Sequence, residues 1–243
     1  AFAALAFVGE AHAAKTWTID ELVERNVEAH GGMAALRAMK SLRLVGKLLV
    51  NNGQYELAYV RTFARPAMVR TEVTQQGLTQ TQAFDGVTGW QINPFQGRKD
   101  PERMSADDIK AMAEAASEFD GPLIDWAAKS MTLAYLGTED VDGTLAHKIK
   151  LARGNGDVEY VWLDPDLFLE IRTLSQRIEN GVQQAIETDI GEYEKVGGVM
   201  ITFSLNSSRK GSMDKQQVVI EKAEINAAVE PALFAFPVLK AKA

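Results

Sequence analysis

Six aspartates crowd one stretch of this 243-residue chain: Asp85, Asp100, Asp107, Asp108, Asp120 and Asp125. Carboxylates at that density could hold a calcium ion or share a proton in acid–base catalysis. Most of them also have a simpler local reason. Asp85 precedes Gly86 in a turn, and Asp120 sits before Gly121-Pro122. Asp107 and Asp108 suit the first turn of a helix opened by Ser105, where carboxylates meet exposed N–H groups. The three histidines do not converge on a site. His12 falls in the apolar leader, and His30 stands beside Gly31-Gly32, where a helix ends. His147 lies on the apolar side of an alternating strand, where a hydrogen-bonded core histidine is expected. There is no GxSxG elbow, no HExxH and no P-loop. Gly154-Asn155-Gly156 lies between two strand patterns, whereas a phosphate loop needs a helix after it. The inventory predicts no catalytic residue, no metal and no cofactor.

Composition narrows the classes further. Apolar residues make up 46% and charged residues 24%, ordinary values for a globular chain. A formal net charge of −7 argues against a nucleic-acid partner, which would need a basic patch. There is no cysteine, hence no disulfide, no thiolate metal site and no cysteine-borne lipid anchor. Residues 1–14 read as a truncated signal peptide, with Ala11-His12-Ala13 as its small-residue cleavage site. If retained, Phe2, Leu5, Phe7 and Val8 are expected to dock into an apolar groove. On the signal remnant the protein is expected in the periplasm; it is also expected to have no stable membrane insertion and to be a monomer. Residues 15–243 are expected to form a single domain.

The positioning elements follow from periodicity. Thr18 with Glu21 forms a capping box, and Leu22, Val23, Asn26, Val27 and His30 share a helical face. Gly31-Gly32 ends that helix, and Met33, Leu36 and Met39 mark a second. From Ser41 the period changes to two: Leu42, Leu44, Leu48 and Val50, then Tyr55, Leu57, Tyr59 and Phe63 beyond an Asn52-Gly53 turn. Short strands continue to Trp90 and Ile92, and again from Met131 to Ile225. About eleven strands imply a mainly β, antiparallel sheet that must curl. Helical spacing interrupts the sheet only at Ile109, Met112, Ala113 and Ala116, predicting a helical flap over residues 93–129, between the fifth and sixth strands. Leu233, Phe234 and Phe236 are expected to tuck the end of the chain against the body.

Several phrases, in order, resemble the LolA/LolB-like superfamily of periplasmic lipoprotein and lipid carriers, within it the outer-membrane lipoprotein-sorting proteins. They are HGGMAALRAMKSLRLVGKL, RPAMVRTEV, QAFDGVTGWQINPF, EFDGPLIDW, LARGNGDVEYVWLDPDLFLEIR and PALFAFP. The resemblance implies a strongly curved half-barrel whose helices close a hydrophobic cavity on the concave face, where lipid or lipoprotein acyl chains bind. Its expected lining is Leu44, Leu57, Tyr59, Phe84, Trp90, Ile92 and Phe95, with Ile109, Met112, Phe119, Leu123 and Trp126 from the flap. Inner-membrane donor and outer-membrane acceptor proteins are the implied partners. The segment from Asn93 to Lys129 is longer than in the lipoprotein chaperone, so lipoprotein, phospholipid, sterol-like and polyisoprenoid cargoes all stay open. The alternative is an envelope-stress sensor or protein-interaction module on the same fold. Burying five flap side chains or one sixteen-carbon chain releases on the order of 10 kcal/mol either way, so flap and ligand would compete on similar terms.

Overall fold

Residues 16–179 and 181–237 are described by the computed structural model. The expected leader, with Phe2, Leu5, Phe7 and Val8, lies outside them. Thr18 opens helix α1 (Ile19–Ala29) as anticipated. Its hydroxyl accepts the Glu21 N–H at 3.2 Å, and the Glu21 carboxylate accepts the Thr18 N–H at 2.9 Å. His30 caps the helix, and Gly31 and Gly32, both at positive φ, turn the chain into α2 (Met33–Ala38).

Five strands follow: β1 (Ser41–Val50), β2 (Tyr55–Ala64), β3 (Met68–Gln75), β4 (Leu78–Phe84) and β5 (Gly89–Asn93). A 3-10 turn at Pro94–Gln96 leads into β6 (Arg98–Arg103), and α3 (Ala106–Ser117) comes next, with Ser105 as its N-cap. The second run comprises β7 (Met131–Val141), β8 (Thr144–Arg153), β9 (Val158–Leu163) and β10 (Glu170–Glu179). It closes with β11 (Val182–Val196), β12 (Val199–Arg209) and β13 (Lys215–Ile225).

All thirteen strands join one antiparallel sheet, in the order β6-β5-β4-β3-β2-β1-β13-β12-β11-β10-β9-β8-β7. Thirteen rather than about eleven is a correction, and β6 is the strand that alternation does not announce. Its sequence, RKDPER, has no apolar face, and it pairs only with β5. The expected flap therefore begins as an edge strand, and its one helix falls between the sixth and seventh strands. Proline is tolerated there because a border strand need not donate on both sides. β6 and β7 are the two borders of the sheet, and β7 carries an irregularity between Tyr135 and Thr138, with Gly137 at positive φ.

Six strand spacings separate β2 from β9, roughly 29 Å in a flat sheet. Yet Tyr59 of β2 and Glu159 of β9 line one cavity of about 390 Å³. The sheet is therefore bowed toward its helical side. Two hydrophobic clusters fill that inner face. One joins Leu36, Leu44, Phe63, Phe84, Met112 and Phe203, and the other joins Leu22 and Leu123 to Ile149, Leu151, Val161 and Leu163. The outer face has cover of its own. Trp90 is buried there, its indole N–H donating to the Phe234 carbonyl at 2.8 Å, and Phe236 meets its edge. The tail packs as expected, with Phe234 fully buried.

Candidate functional site

The cavity lies between the bowed sheet, α2 and the segment 118–122 that follows α3. The sheet alternates, so most of the wall comes from every second residue of a strand. Leu42 and Leu44 of β1, Tyr59, Arg61 and Phe63 of β2, and Val218 and Ile220 of β13 form one wall. Val199, Ile201 and Leu205 of β12, with Ile190 and Tyr193 of β11, continue it. α2 contributes Leu36 and Met39 from above. Phe119 closes the remaining side, stacked on Phe63 with ring centres 5.5 Å apart and planes 14° from parallel.

Polar clasps hold this cover down. Arg65, at the end of β2, donates to the carbonyls of Met39 at 2.9 Å and Leu36 at 3.2 Å, and to Asp120 at 2.6 Å. One guanidinium thus ties the C-terminal end of α2, where carbonyls lack intrahelical partners, to the segment after α3. Its flat face also covers Phe119 at 5.0 Å. Lys129 stands 3.5 Å from the other oxygen of the buried Asp120.

A second clasp fixes α1. Glu170 is buried, and its carboxylate accepts from Asn26 at 3.0 Å, from His30 Nε2 at 2.7 Å and from the Tyr193 hydroxyl at 3.2 Å. His30 Nδ1 faces the Met200 carbonyl at 3.3 Å, an oxygen that can only accept. Both ring nitrogens are thus placed to donate, an arrangement that suits the imidazolium. Burial alone would push the His30 pKa down, but the Glu170 carboxylate more than reverses that and raises it. Burial alone would likewise raise Glu170, and His30 with the other donors brings it below the ordinary carboxylate value.

The third polar group is Arg153, which donates to both oxygens of Glu118 at 2.7 and 2.8 Å and to Glu159 at 2.9 Å. Burial, opposed by Arg153 and reinforced by the Glu159 charge, pushes the Glu118 carboxyl up to about 7. One cation shared by two carboxylates leaves Glu118 prone to take a proton.

Comparison of the whole chain with known proteins finds no family model and no curated protein that matches the sequence. Solved structures do match, over most of both chains. A LolA superfamily protein from Nitrosomonas europaea aligns over 90% of this chain and 98% of its own, at 10% identity and a TM-score of 0.58. The fold is LolA-like. A Vibrio parahaemolyticus domain described as an outer membrane lipoprotein-sorting protein aligns at 10% identity and a TM-score of 0.58, covering 88% of this chain and 94% of its own. A DUF1329 family protein from Desulfovibrio piger gives 13% identity and a TM-score of 0.61, covering 89% and 97%.

Within this LolA-like fold the expected lining residues separate. Leu44, Tyr59 and Phe119 line the cavity. Phe84, Met112 and Ile109 belong to the cluster beside it, and Leu57 is buried farther along the inner side of β2. Leu123 and Trp126 pack in the other cluster, under α1. Trp90 and Ile92 face away: unbroken register pairs them with Ala83 and Thr81, out of phase with Phe84 on the inner side. Phe95 is exposed in its 3-10 turn. Trp90, on the outer face, and Trp126, in the cluster under α1, therefore do not share one cavity. The aspartates also disperse. Asp85 accepts N–H groups of its own turn, Asp108 bonds Ser105, and Asp125 meets Arg37 at 3.3 Å. His147 is a hydrogen-bonded, buried histidine, 3.0 Å from the Tyr135 hydroxyl.

Placement changes what truncations should do. Trp126→Ala is expected to cost less stability than the about 3–5 kcal/mol of a fully buried tryptophan, without altering uptake of a hydrocarbon probe. Phe119→Ala, which opens the cavity wall, should alter that uptake. Probe titration of both variants checks this, and a larger change in uptake for Trp126→Ala would be the wrong outcome.

Proposed function

We propose that this chain is a periplasmic carrier that takes acyl chains of lipid or lipoprotein into its inner cavity and shuttles them between membranes. The observation that carries the reading is an apolar cavity closed by a cover held with a few polar clasps. Its volume of about 390 Å³ falls within the roughly 300–1,000 Å³ of ligand pockets. Each methylene that leaves water for such a wall contributes about 0.8 kcal/mol. Loading and release then depend on a ligand's different affinity for the open and closed cover. The Arg65–Asp120 clasp is suited to that exchange, because Arg65 is one-third exposed and water can replace its partners. No bond is made or broken in this account; His30, the histidine in the wall, has both nitrogens engaged. Donor and acceptor proteins at the two membranes complete the reading.

Native mass spectrometry of protein purified from its own host tests it. The expected result is a co-purified mass in the range of a lipid or an acylated peptide. A stoichiometric protein partner without lipid would instead favour an interaction module on the same fold.

A further inference from the structure

The cavity wall contains one charge that the chain itself does not answer. Glu118 and Glu159 share Arg153, Asp120 meets Arg65 and Lys129, and Glu170 meets His30. Every carboxylate in the wall thus already faces a cation. Arg61 has no such partner: among the described residues its side chain makes no ion pair and no hydrogen bond, and its Nε is buried. The guanidinium lies over the Phe63 ring, 4.9 Å from its centre. A guanidinium brings five N–H donors and no acceptor, so leaving it half-buried without a partner is costly. Tyr59, two residues earlier on the same face, is buried in the same wall, and its hydroxyl has no hydrogen-bond partner among the described residues. A fork of donors and a phenolic O–H thus project together into a mainly apolar space.

We infer that the ligand is an anionic amphiphile whose carboxylate or phosphate head is received by Arg61 and Tyr59 while its hydrocarbon chain fills the cavity. The inference rests on the carrier reading and narrows its substrate class. A planar guanidinium suits the paired oxygens of a carboxylate or phosphate, and the Phe63 ring beneath it holds the fork in plane. Neutral lipids of the same length would leave Arg61 unanswered. The site therefore selects by head group as well as by chain.

The test is displacement of a neutral fluorescent hydrocarbon probe by palmitate, hexadecyl phosphate and hexadecanol, with inorganic phosphate as a fourth arm. In the unaltered protein, palmitate, hexadecyl phosphate or both should displace the probe at about tenfold lower concentration than hexadecanol. Arg61→Met should close that gap by weakening palmitate and hexadecyl phosphate, and Arg61→Lys should keep part of it. Tyr59→Phe, which preserves the ring, should narrow it by a smaller factor, and melting curves verify that each variant folds. Equal potency of all three amphiphiles, or a gap that survives Arg61→Met, overturns the head-group assignment and leaves the carrier reading intact. Protection by inorganic phosphate as strong as that by hexadecyl phosphate overturns it in favour of a free-anion site. Failure of every amphiphile to displace the probe removes the carrier reading and this inference together.

Discussion

Glu170→Ala is expected to lower the melting temperature by roughly 6–20 °C, the equivalent of about 3–5 kcal/mol in a chain of this size. The carboxylate is buried, and its loss leaves His30 Nε2 without its partner in the wall of the cavity, while Asn26 keeps the Phe168 carbonyl at 2.9 Å and the Tyr193 hydroxyl keeps the backbone carbonyl of residue 170 at 3.0 Å. Removing one partner of a buried pair costs more than the pair itself contributes, because the remaining charge has neither water nor counter-ion. The pH dependence separates this from simple loss of volume. His30 titrates higher in the folded chain than its ordinary 6.5, so its contribution is fully present below 6.5 and fades as pH rises through the raised value. Glu170 titrates lower than its ordinary 4.5, so its contribution is present above 4.5 and fades as pH falls through the lowered value. The pair should therefore stabilise most between about 4.5 and 6.5. Glu118, whose folded value is raised, adds a decline in stability from 4.5 toward about 7 in both proteins, so the difference between wild type and variant is the quantity to read. Denaturant melts of Glu170→Gln across this range should show a loss largest inside the window. A loss independent of pH would mean that the imidazole–carboxylate pair contributes only packing.

Gly31→Ala is the second change with a large expected cost, and Gly32→Ala provides its control. Both glycines sit at positive φ, +111° and +87°, where an added side chain is strained. At Gly32 a Cβ meets nothing within 4 Å, so strain alone applies; its backbone, at φ +87° and ψ 155°, lies in a region almost confined to glycine, at a cost of about 1–3 kcal/mol. At Gly31 the same Cβ would collide with the Gly198 carbonyl oxygen, a backbone atom in the turn between β11 and β12 that cannot swing aside. The neighbouring His30 carbonyl accepts the Met200 N–H at 3.1 Å, so this corner between α1 and α2 rests directly on the sheet. Lifting it should expose the cavity as well as destabilise the fold. Gly31→Ala is expected to lose at least twice the stability of Gly32→Ala and to bind more of an environment-sensitive apolar dye. Equal losses for the two variants would show that the corner does not bear on the sheet as described.

Local chemistry that acts within a few residues was legible in the sequence. Thr18 with Glu21 announced α1, Ser105 announced α3, and alternation from Leu42 to Phe63 announced the first hairpin. What alternation cannot say is which of two apolar faces is the inner one. Trp90 and Ile92 alternate correctly, but the tail residues Phe234 and Phe236 give the outer face its own cover, so an apolar side chain on this sheet need not point at the cavity. Charged groups in the wall were hidden for the opposite reason, since a charge in a strand reads as solvent-facing. Arg61 did leave a signal: it is in phase with Leu57, Tyr59 and Phe63, on the side that alternation assigns to the interior. Glu170 left none, because the register shift between Glu170 and Arg172 breaks the phase at that residue. Asn26 and Glu170 are 144 positions apart, and only the packing of α1 on the bowed sheet brings them together.

The order of strands also means that the sheet never meets itself, and its two borders are treated differently. β6 presents Arg98, Lys99, Asp100, Glu102 and Arg103 around Pro101, so a second copy approaching edge-on would have to strip water from charged side chains and would meet a missing N–H. β7 instead breaks its own line near Gly137, and a straight ribbon cannot pair along it without a gap. Sheets closed into a ring have no such borders to defend, but their circumference is fixed by strand number and stagger. An unclosed sheet can spread by a small change of bend shared over many strands when its hollow side fills. Charge and proline on one border, and a kink on the other, permit that breathing without inviting polymerisation.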